Sequence, residues 1–187
     1  SGYDLRAMLR VLFNSDFFKE ARYQKVKSPA EMVVGVLRLT GEFSEEPRWE
    51  MAEVTRQIVY MGQQLMNPPS VEGWHQGTEW TNSGTLVERV NFASDHLGDV
   101  SSPGVRAIID RLAAEDGGVL SPERLVDGCL EQLGAFSVPD DTRSALLATA
   151  SKAGEVRLGG SERGEEAEQR VAQMLRLIAA APEFQLA

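Results

Sequence analysis

The sequence predicts an all-α fold: a single compact domain of about seven to eight helices, interrupted by one long loop rich in proline, glycine and tryptophan. Apolar residues recur at three- and four-residue spacing along most of the chain, which is the pattern of helices with one buried face. Ser-Pro pairs and glycines divide this pattern into segments of helical length. With 187 residues, 42% of them hydrophobic, the chain is large enough to bury one core. We therefore expect residues 1–187 to form a single domain.

Three helices are predicted before the loop. The first contains Leu5 and the apolar residues that follow it at helical spacing. The second opens at residues 28–31, Ser-Pro-Ala-Glu, where a serine N-cap, a proline and a glutamate three residues on form a capping box, and it should end at Gly41. The third begins near Pro47 and ends at the Pro68-Pro69 pair, because proline cannot continue the hydrogen-bond ladder. Its predicted inner stripe is Val54, Ile58, Met61 and Leu65.

Five more helices are predicted after the loop. They start at Gly84, at the Ser-Pro pairs 102–103 and 121–122, at Pro139 and near Ser161, and the last ends at Ala180. Residues 152–164, rich in glycine and charge, are predicted to form a flexible linker before this last helix. Residues 155–158 alternate like a strand, but a loop explains four residues equally well. The predicted inner stripes include Leu86, Val90 and Leu97; Val105, Ile108, Ile109 and Leu112; and Val171, Met174, Leu175 and Ile178.

The distribution of charge along the chain indicates which classes of partner it could bind. The net charge is −9, although residues 1–40 hold seven basic and only four acidic residues. Nucleic-acid binding needs a concentrated basic face, which the overall balance opposes. No apolar run approaches the roughly 20 residues that span a bilayer, so we expect no membrane insertion in this part of the protein. The sequence starts at Ser1-Gly2 without a methionine, so we expect it to be an internal part of a longer protein. Its expected partners are other domains of that longer chain or a separate protein.

No cofactor or metal site is predicted from the sequence. His75 and His96 are the only histidines and lack the spacing of a His-Glu-x-x-His site. Asp95, His96 and Asp99 lie close together near the end of one predicted helix, and we expect this end to be solvated. Cys129 is the only cysteine, which excludes an internal disulfide and a thiolate metal cluster, and its place on an apolar stripe predicts a core residue. Neither a phosphate-binding loop nor a Gly-x-Ser-x-Gly elbow occurs.

The candidate site residues lie on the long loop, residues 66–82. Loops of this length are usually functional or disordered, and the tryptophans argue against disorder. In a structural interpretation, both indoles pack on the helices that carry Leu65 and Val90. In the alternative, the loop binds a ligand such as a sugar, and a carboxylate pair on it catalyses hydrolysis. The binding candidates are Trp74, His75 and Trp80, and the catalytic candidates are Glu72 and Glu79.

Arg89 is a further candidate for ligand binding. Its surroundings in the sequence are apolar, as are those of Arg38. A buried guanidinium is usually satisfied by a carboxylate, here Glu31 or Glu183. We therefore favour a loop-anchoring role for both arginines over a role in substrate binding.

Four motifs stand in order along the chain: Leu5-Arg6 with Ser15-Asp16-Phe17-Phe18; Lys27-Ser28-Pro29-Ala30-Glu31; the loop motif with Gly62-Gln63-Gln64-Leu65, Pro68-Pro69 and Gly73-Trp74; and Ala181-Pro182-Glu183-Phe184-Gln185. Together they resemble the C-terminal part of the bacterial domain-of-unknown-function family 1800. The resemblance implies a portion of a larger bacterial protein, often one that is exported. It supplies no activity, substrate or catalytic residue.

These observations favour a non-catalytic helical interaction or scaffold module, because the sequence contains no complete catalytic constellation. The alternative is a carbohydrate-binding or hydrolytic site built on residues 66–82. The two hypotheses differ in where they place the indoles. Carboxylates in one open cleft beside exposed indole faces would favour the site, and buried indoles would favour the structural loop.

Overall fold

Nine α-helices, three short 3₁₀ segments and one small sheet make up the regular structure of residues 2, 4–21, 23–43, 50–134, 138–159 and 164–187, which this computed structural model describes. In chain order the elements are α1 (Leu5–Asn14), α2 (Asp16–Glu20), α3 (Pro29–Thr40), α4 (Met51–Tyr60), α5 (Ser83–Leu97), α6 (Pro103–Ala114), β1 (Val119–Leu120), α7 (Pro122–Leu133), α8 (Asp140–Ala153), β2 (Val156–Arg157) and α9 (Glu165–Ala180). The all-α prediction is confirmed. The helix beyond the predicted eight is the five-residue α2.

The core forms around α9. This helix packs against α5, α6, α7 and α8, and α5 in turn packs against α3 and α4. The predicted stripes of α6 and α9 are buried as expected. Cys129 is also buried, and this burial raises the pKa of its thiol, as expected for a cysteine that serves as a core residue.

A two-stranded antiparallel sheet was not foreseen. Val119 pairs with Arg157 and Leu120 pairs with Val156. Val156 and the following Leu158 are buried in the core, so this part of residues 152–164 is packed, while residues 160–163 lie outside the described chain. The alternation at 155–158 was visible in the sequence, but a two-residue partner strand carries no periodic signal.

The prediction for the end of the third helix is wrong. α4 ends at Tyr60, and Gly62 follows with a φ of +97°, a left-handed conformation that glycine adopts at little cost. Leu65 therefore lies outside the helix and is exposed, not on an inner stripe. The glycine ends the helix before the proline pair is reached. The predicted start at Pro47 falls outside the described residues.

α5 buries a more polar face than the sequence suggested. Its N-cap is Asn82, whose side chain accepts hydrogen bonds from the two amides that follow Ser83. Leu86 is exposed, so its predicted inner position is wrong. The buried residues of α5 are Arg89, Phe92, Ala93, His96 and Leu97.

The C-terminal end of α5 is not the solvated terminus that we expected. His96 is buried, and its Nδ1 lies 3.5 Å from Oε1 of the buried Glu42. Ser102 Oγ lies 3.0 Å from the same carboxylate oxygen and 3.2 Å from Asp99 Oδ2. Ser102 therefore links α6 to this cluster and makes no side-chain cap of its own helix. Burial lowers the pKa of His96, and the neighbouring Glu42 opposes that shift.

The helical prediction for α1 is correct, but its apolar stripe faces solvent. No residue of α1 or α2 is buried. The two helices pack on each other, with the rings of Phe13 and Phe18 edge to face at 5.1 Å. Large apolar side chains on this pair are left accessible.

Replacing Ser28 with alanine should lower the free energy of unfolding by about 0.5–2 kcal/mol. Ser28 Oγ accepts from the Glu31 amide at 3.3 Å, and the Glu31 carboxylate accepts from the Ser28 amide at 2.7 Å, so the capping box is complete. Urea denaturation measures the change. Ser144→Ala, an exposed position within α8, is the matched control and should be neutral or slightly stabilising. Equal stability of the Ser28 and Ser144 variants would contradict the cap.

Folding stability should fall as the pH drops from about 7 towards 5. Because the folded-state pKa of His96 is lowered, the unfolded chain binds the proton more readily, and stability is lost through this window as pH falls. Asp95, Asp99 and Glu42 oppose the shift without removing it. Denaturation at several pH values should show a flatter profile for His96→Gln. The control His75→Gln, at an exposed histidine, should keep the wild-type slope; equal slopes in both variants would refute the assignment.

Candidate functional site

The long loop between α4 and α5 is ordered by its own hydrogen bonds. Ser70 and Gly73 form an antiparallel bridge, and the glycine has a φ of +102°. A 3₁₀ turn, Gly77–Trp80, follows, and the Gln76 amide donates to Glu79 Oε2 across its start at 3.4 Å. Residues 72–76 line two adjoining concave surfaces and form a wall that they share.

The two tryptophans of this loop have different surroundings. Trp80 is 5% exposed, and its carbonyl accepts a hydrogen bond from Thr85 Oγ1 at 2.9 Å, which ties the loop to α5. Trp74 is only half-buried, and its Nε1 donates to the Gln64 carbonyl at 3.1 Å. The His75 ring lies edge-on to Trp80 at 6.2 Å. Trp80 is therefore an anchor of the loop, whereas Trp74 stands at the surface in a fixed orientation.

An open groove of about 600 Å³ lies between this loop and the segment that leads into α3. Its lining combines indole, imidazole, amide, hydroxyl and charged groups. The residues are Lys25, Val26, Ser28, Glu31, Gln63, Glu72, Gly73, Trp74, His75, Gln76, Gly77 and Trp80. We call this surface the Trp74 groove.

A second groove, of about 510 Å³, shares residues 72–76 with the first. Glu72 and Glu79 both line it, together with Trp74 and His75. His75 Nδ1 lies 3.3 Å from Glu79 Oε2, and both side chains are exposed. The two candidate carboxylates thus both line one open groove beside the half-buried indole of Trp74, while the indole of Trp80 is buried.

The start of α3 offers the Trp74 groove no free anion site. The Ser28 and Glu31 amides are bound by each other's side chains, and the Ala30 amide donates to Gln63 Oε1 at 2.9 Å. Lys25 is paired with Glu31, and its hydrogen bond lowers the pKa of that carboxyl. The positive end of the helix is therefore already satisfied by protein groups.

Arg89 anchors the chain segment that contributes residues 25–28 to this groove. Its side chain is fully buried: Nε donates to Gln185 Oε1 and Nη2 donates to the Lys27 carbonyl, both at 2.8 Å. Burial lowers the pKa of Arg89 to about 10. The guanidinium joins α5 to the C-terminal tail and to the segment before α3. Its expected carboxylate partner is replaced by an amide and a carbonyl.

Lys27 and the C-terminal tail complete this anchor. Lys27 Nζ donates to the Phe184 carbonyl at 2.7 Å and lies 4.6 Å from the centre of the Phe184 ring. Burial lowers the pKa of Lys27, and the nearby Arg89 adds to the effect. Val26 pairs with Leu186 as an antiparallel bridge. Residues 25–27 are therefore fixed along one side by the end of the chain.

The structure brings most of the predicted site residues together but not all. Glu72, Trp74, His75 and Trp80 line the Trp74 groove, and Glu79 lines the adjoining one. Arg89 is buried and lines neither groove. The other arginine expected to be buried, Arg38, is exposed, so that expectation is wrong. The apolar neighbours of Arg38 in sequence lie on the opposite, buried face of α3.

Sequence reasoning missed the residues of the opposite wall. Lys25, Ser28 and Glu31 are separated from the loop by most of α3 and all of α4, so no local spacing joins them to it. Gln63 lies just before the loop, but its place in a motif does not show that it lines a groove. Among the described residues, no cluster of histidine, cysteine and carboxylates forms a metal site. Within the same residues, no helix is both long and apolar enough to cross a membrane.

A family model described as "Protein of unknown function (DUF1800)" matches residues 1–186. The match covers essentially the whole chain, so the resemblance extends beyond the motifs of the first half and the C-terminus. No curated protein and no solved structure matches.

Replacing Arg89 with methionine should lower the free energy of unfolding by on the order of 2–4 kcal/mol, because two acceptors, one buried and one partly buried, lose their donor. Chemical denaturation measures the loss. Amide exchange should accelerate at Lys27 and Ala187, whose N–H groups donate to the Gln185 and Lys25 carbonyls across the same junction. Arg38→Met, at an exposed position, is the control and should change stability by less than about 0.5 kcal/mol. Equal effects at the two arginines would contradict the anchoring role.

Proposed function

The chain belongs to DUF1800, a family of proteins of unknown function, and we propose that it is a non-catalytic helical interaction module. Its docking surface is the exposed apolar face of α1 and α2, and the occupant of that face is a second copy of the chain. The observation that carries this proposal is the exposure of large apolar side chains on a helix pair that buries none of its own residues.

The exposed face is extensive and continuous over both helices. Contiguous apolar patches of this kind mark sites of protein interaction, because exposing apolar surface to water costs free energy that burial by a partner recovers. Part of the face is concave, a groove of about 460 Å³ lined only by Ala7, Met8, Val11, Leu12 and Phe17. The exposed large side chains are Leu5, Met8, Leu9, Val11, Leu12, Phe13, Phe17 and Phe18.

The charges on this pair of helices favour a second copy over an anionic surface. Residues 4–20 contain three basic and three acidic residues, so the pair is neutral overall. Arg6 and Arg10 stand one turn apart on α1, whereas Asp16 and Glu20 belong to α2. In a twofold arrangement the same patch serves both partners, and a surface with both signs can complement itself. A lipid or nucleic-acid surface would instead require an excess of basic residues.

A double substitution, Val11→Glu with Phe17→Glu, tests the proposal. Both side chains line the apolar groove and are 73% and 67% exposed, so the fold of the chain should be preserved. Sedimentation velocity over a wide concentration range should show the wild type as a dimer and the variant as a monomer. Circular dichroism and thermal melting should be unchanged.

The matched control is Val71→Glu, an equally apolar and fully exposed position on the long loop. This variant should remain dimeric. A wild-type protein that stays monomeric at high concentration would refute the proposal, and so would a dimer that survives the double substitution. Binding of the wild type to anionic vesicles without dimerisation would assign the face to a lipid surface and equally refute it.

A further inference from the structure

We propose that the Trp74 groove binds a neutral, polyhydroxylated ligand, an oligosaccharide, with Trp74 as the stacking platform. The proposal concerns a surface separate from α1 and α2 and does not depend on the function proposed above. It rests on the shape of the groove, on the balance of its charges and on the fixed orientation of one indole.

The size and composition of the groove suit a small organic ligand. Its volume of about 600 Å³ lies in the usual range for ligand sites. Its walls carry an aromatic surface together with hydroxyl, amide, ammonium and carboxylate groups, from Ser28, Gln76, Lys25 and Glu72. A sugar offers apolar C–H faces and hydroxyls that both donate and accept hydrogen bonds, which matches this mixture.

The charges of the groove disfavour an ionic ligand. Lys25 and Glu31 form an ion pair within the lining, and His75 lies against Glu79. The amides at the start of α3 are already hydrogen-bonded, so the helix does not provide a phosphate site. Glu72 adds a further carboxylate to the lining, so the groove disfavours phosphates and carboxylates. Among the described residues, no cluster of histidine, cysteine and carboxylates could hold a metal ion. A neutral ligand therefore fits this lining best.

Trp74 has a fixed orientation at a partly accessible position, as a ring that stacks on a ligand requires. Its indole N–H is fixed by the Gln64 carbonyl, and the side chain is half-buried instead of being absorbed into the core. An aromatic ring that is already ordered loses little conformational entropy when a ligand stacks on it. Trp80 beneath is buried and supports the His75 ring edge-on. The two tryptophans therefore have different roles, one as support and one as contact.

The adjoining groove, which Glu72 and Glu79 line, indicates a ligand longer than one sugar ring. It shares residues 72–76 with the Trp74 groove, including Trp74 itself. A linear oligosaccharide can contact both surfaces of this wall, whereas a monosaccharide fills only one. Binding should accordingly strengthen with chain length until both grooves are occupied.

The experiment is isothermal titration calorimetry of the full chain with cello-, chito-, xylo- and malto-oligosaccharides, with tripolyphosphate as an ionic comparator. One neutral series should bind saturably and with little dependence on salt. Trp74→Ala should weaken that binding by at least about tenfold because the stacking surface is removed. Gln76→Ala, which removes only a polar contact on the wall, should weaken it less.

The matched control is Tyr60→Ala, an exposed aromatic on α4 that lines neither groove. It should bind like the wild type, and thermal melting of each variant separates loss of binding from loss of fold. Failure of every neutral series to bind the wild type overturns the proposal. So does equal affinity in folded Trp74→Ala, and so does tripolyphosphate binding that is displaced by salt. None of these outcomes bears on dimerisation through α1 and α2.

Discussion

The buried guanidinium of Arg89 is the constraint on which the candidate site depends. It connects three parts of the chain that are distant in sequence: α5, the segment before α3, and the tail after α9. A buried cation is costly unless its donors meet acceptors, and here an amide side chain and a backbone carbonyl accept from Nε and Nη2, while the buried Nη1 has no partner. The junction therefore has specific geometry, which purely apolar packing would not impose.

This junction determines the position of one wall of the Trp74 groove. Lys27 and Val26 are bound to the C-terminal tail, so Lys25 and Ser28 on either side have fixed places. The opposite wall depends on the loop, which Trp80 anchors to α5. Because α5 also carries Arg89, a single helix positions both walls. A disturbance of α5 should consequently change the groove more than a disturbance of the loop tip.

The molecule presents two surfaces of different chemistry. The face of α1 and α2 is apolar, with balanced charges at its edge, and is suited to a protein partner. The Trp74 groove has a mixed lining in which the Lys25 ammonium is paired with Glu31, and it is suited to a small neutral molecule. They are built from separate elements, since α1 and α2 contribute no residue to the groove lining. One surface can therefore be altered without direct change to the other.

The sequence by itself determined the helices, because their signals are local. The capping box at Ser28, the proline starts and the spacing of apolar residues on α6 and α9 each involve neighbours within one or two turns. It also located the loop that carries the candidate residues. The early end of α4, at Tyr60 just before Gly62, also has a local signal, because glycine is the usual residue just past the end of a helix.

Tertiary structure alone decided which faces are buried and which residues meet. The apolar stripe of α1 has the same spacing as that of α9, yet one is exposed and the other forms the core. Periodicity shows that a face exists and does not show what covers it. The partners of Arg89, and the pairing of His96 with Glu42, join segments far apart in sequence, and no local pattern encodes such contacts. For the same physical reason, the sequence could not show that Lys25, Ser28 and Glu31 line one groove with Trp74.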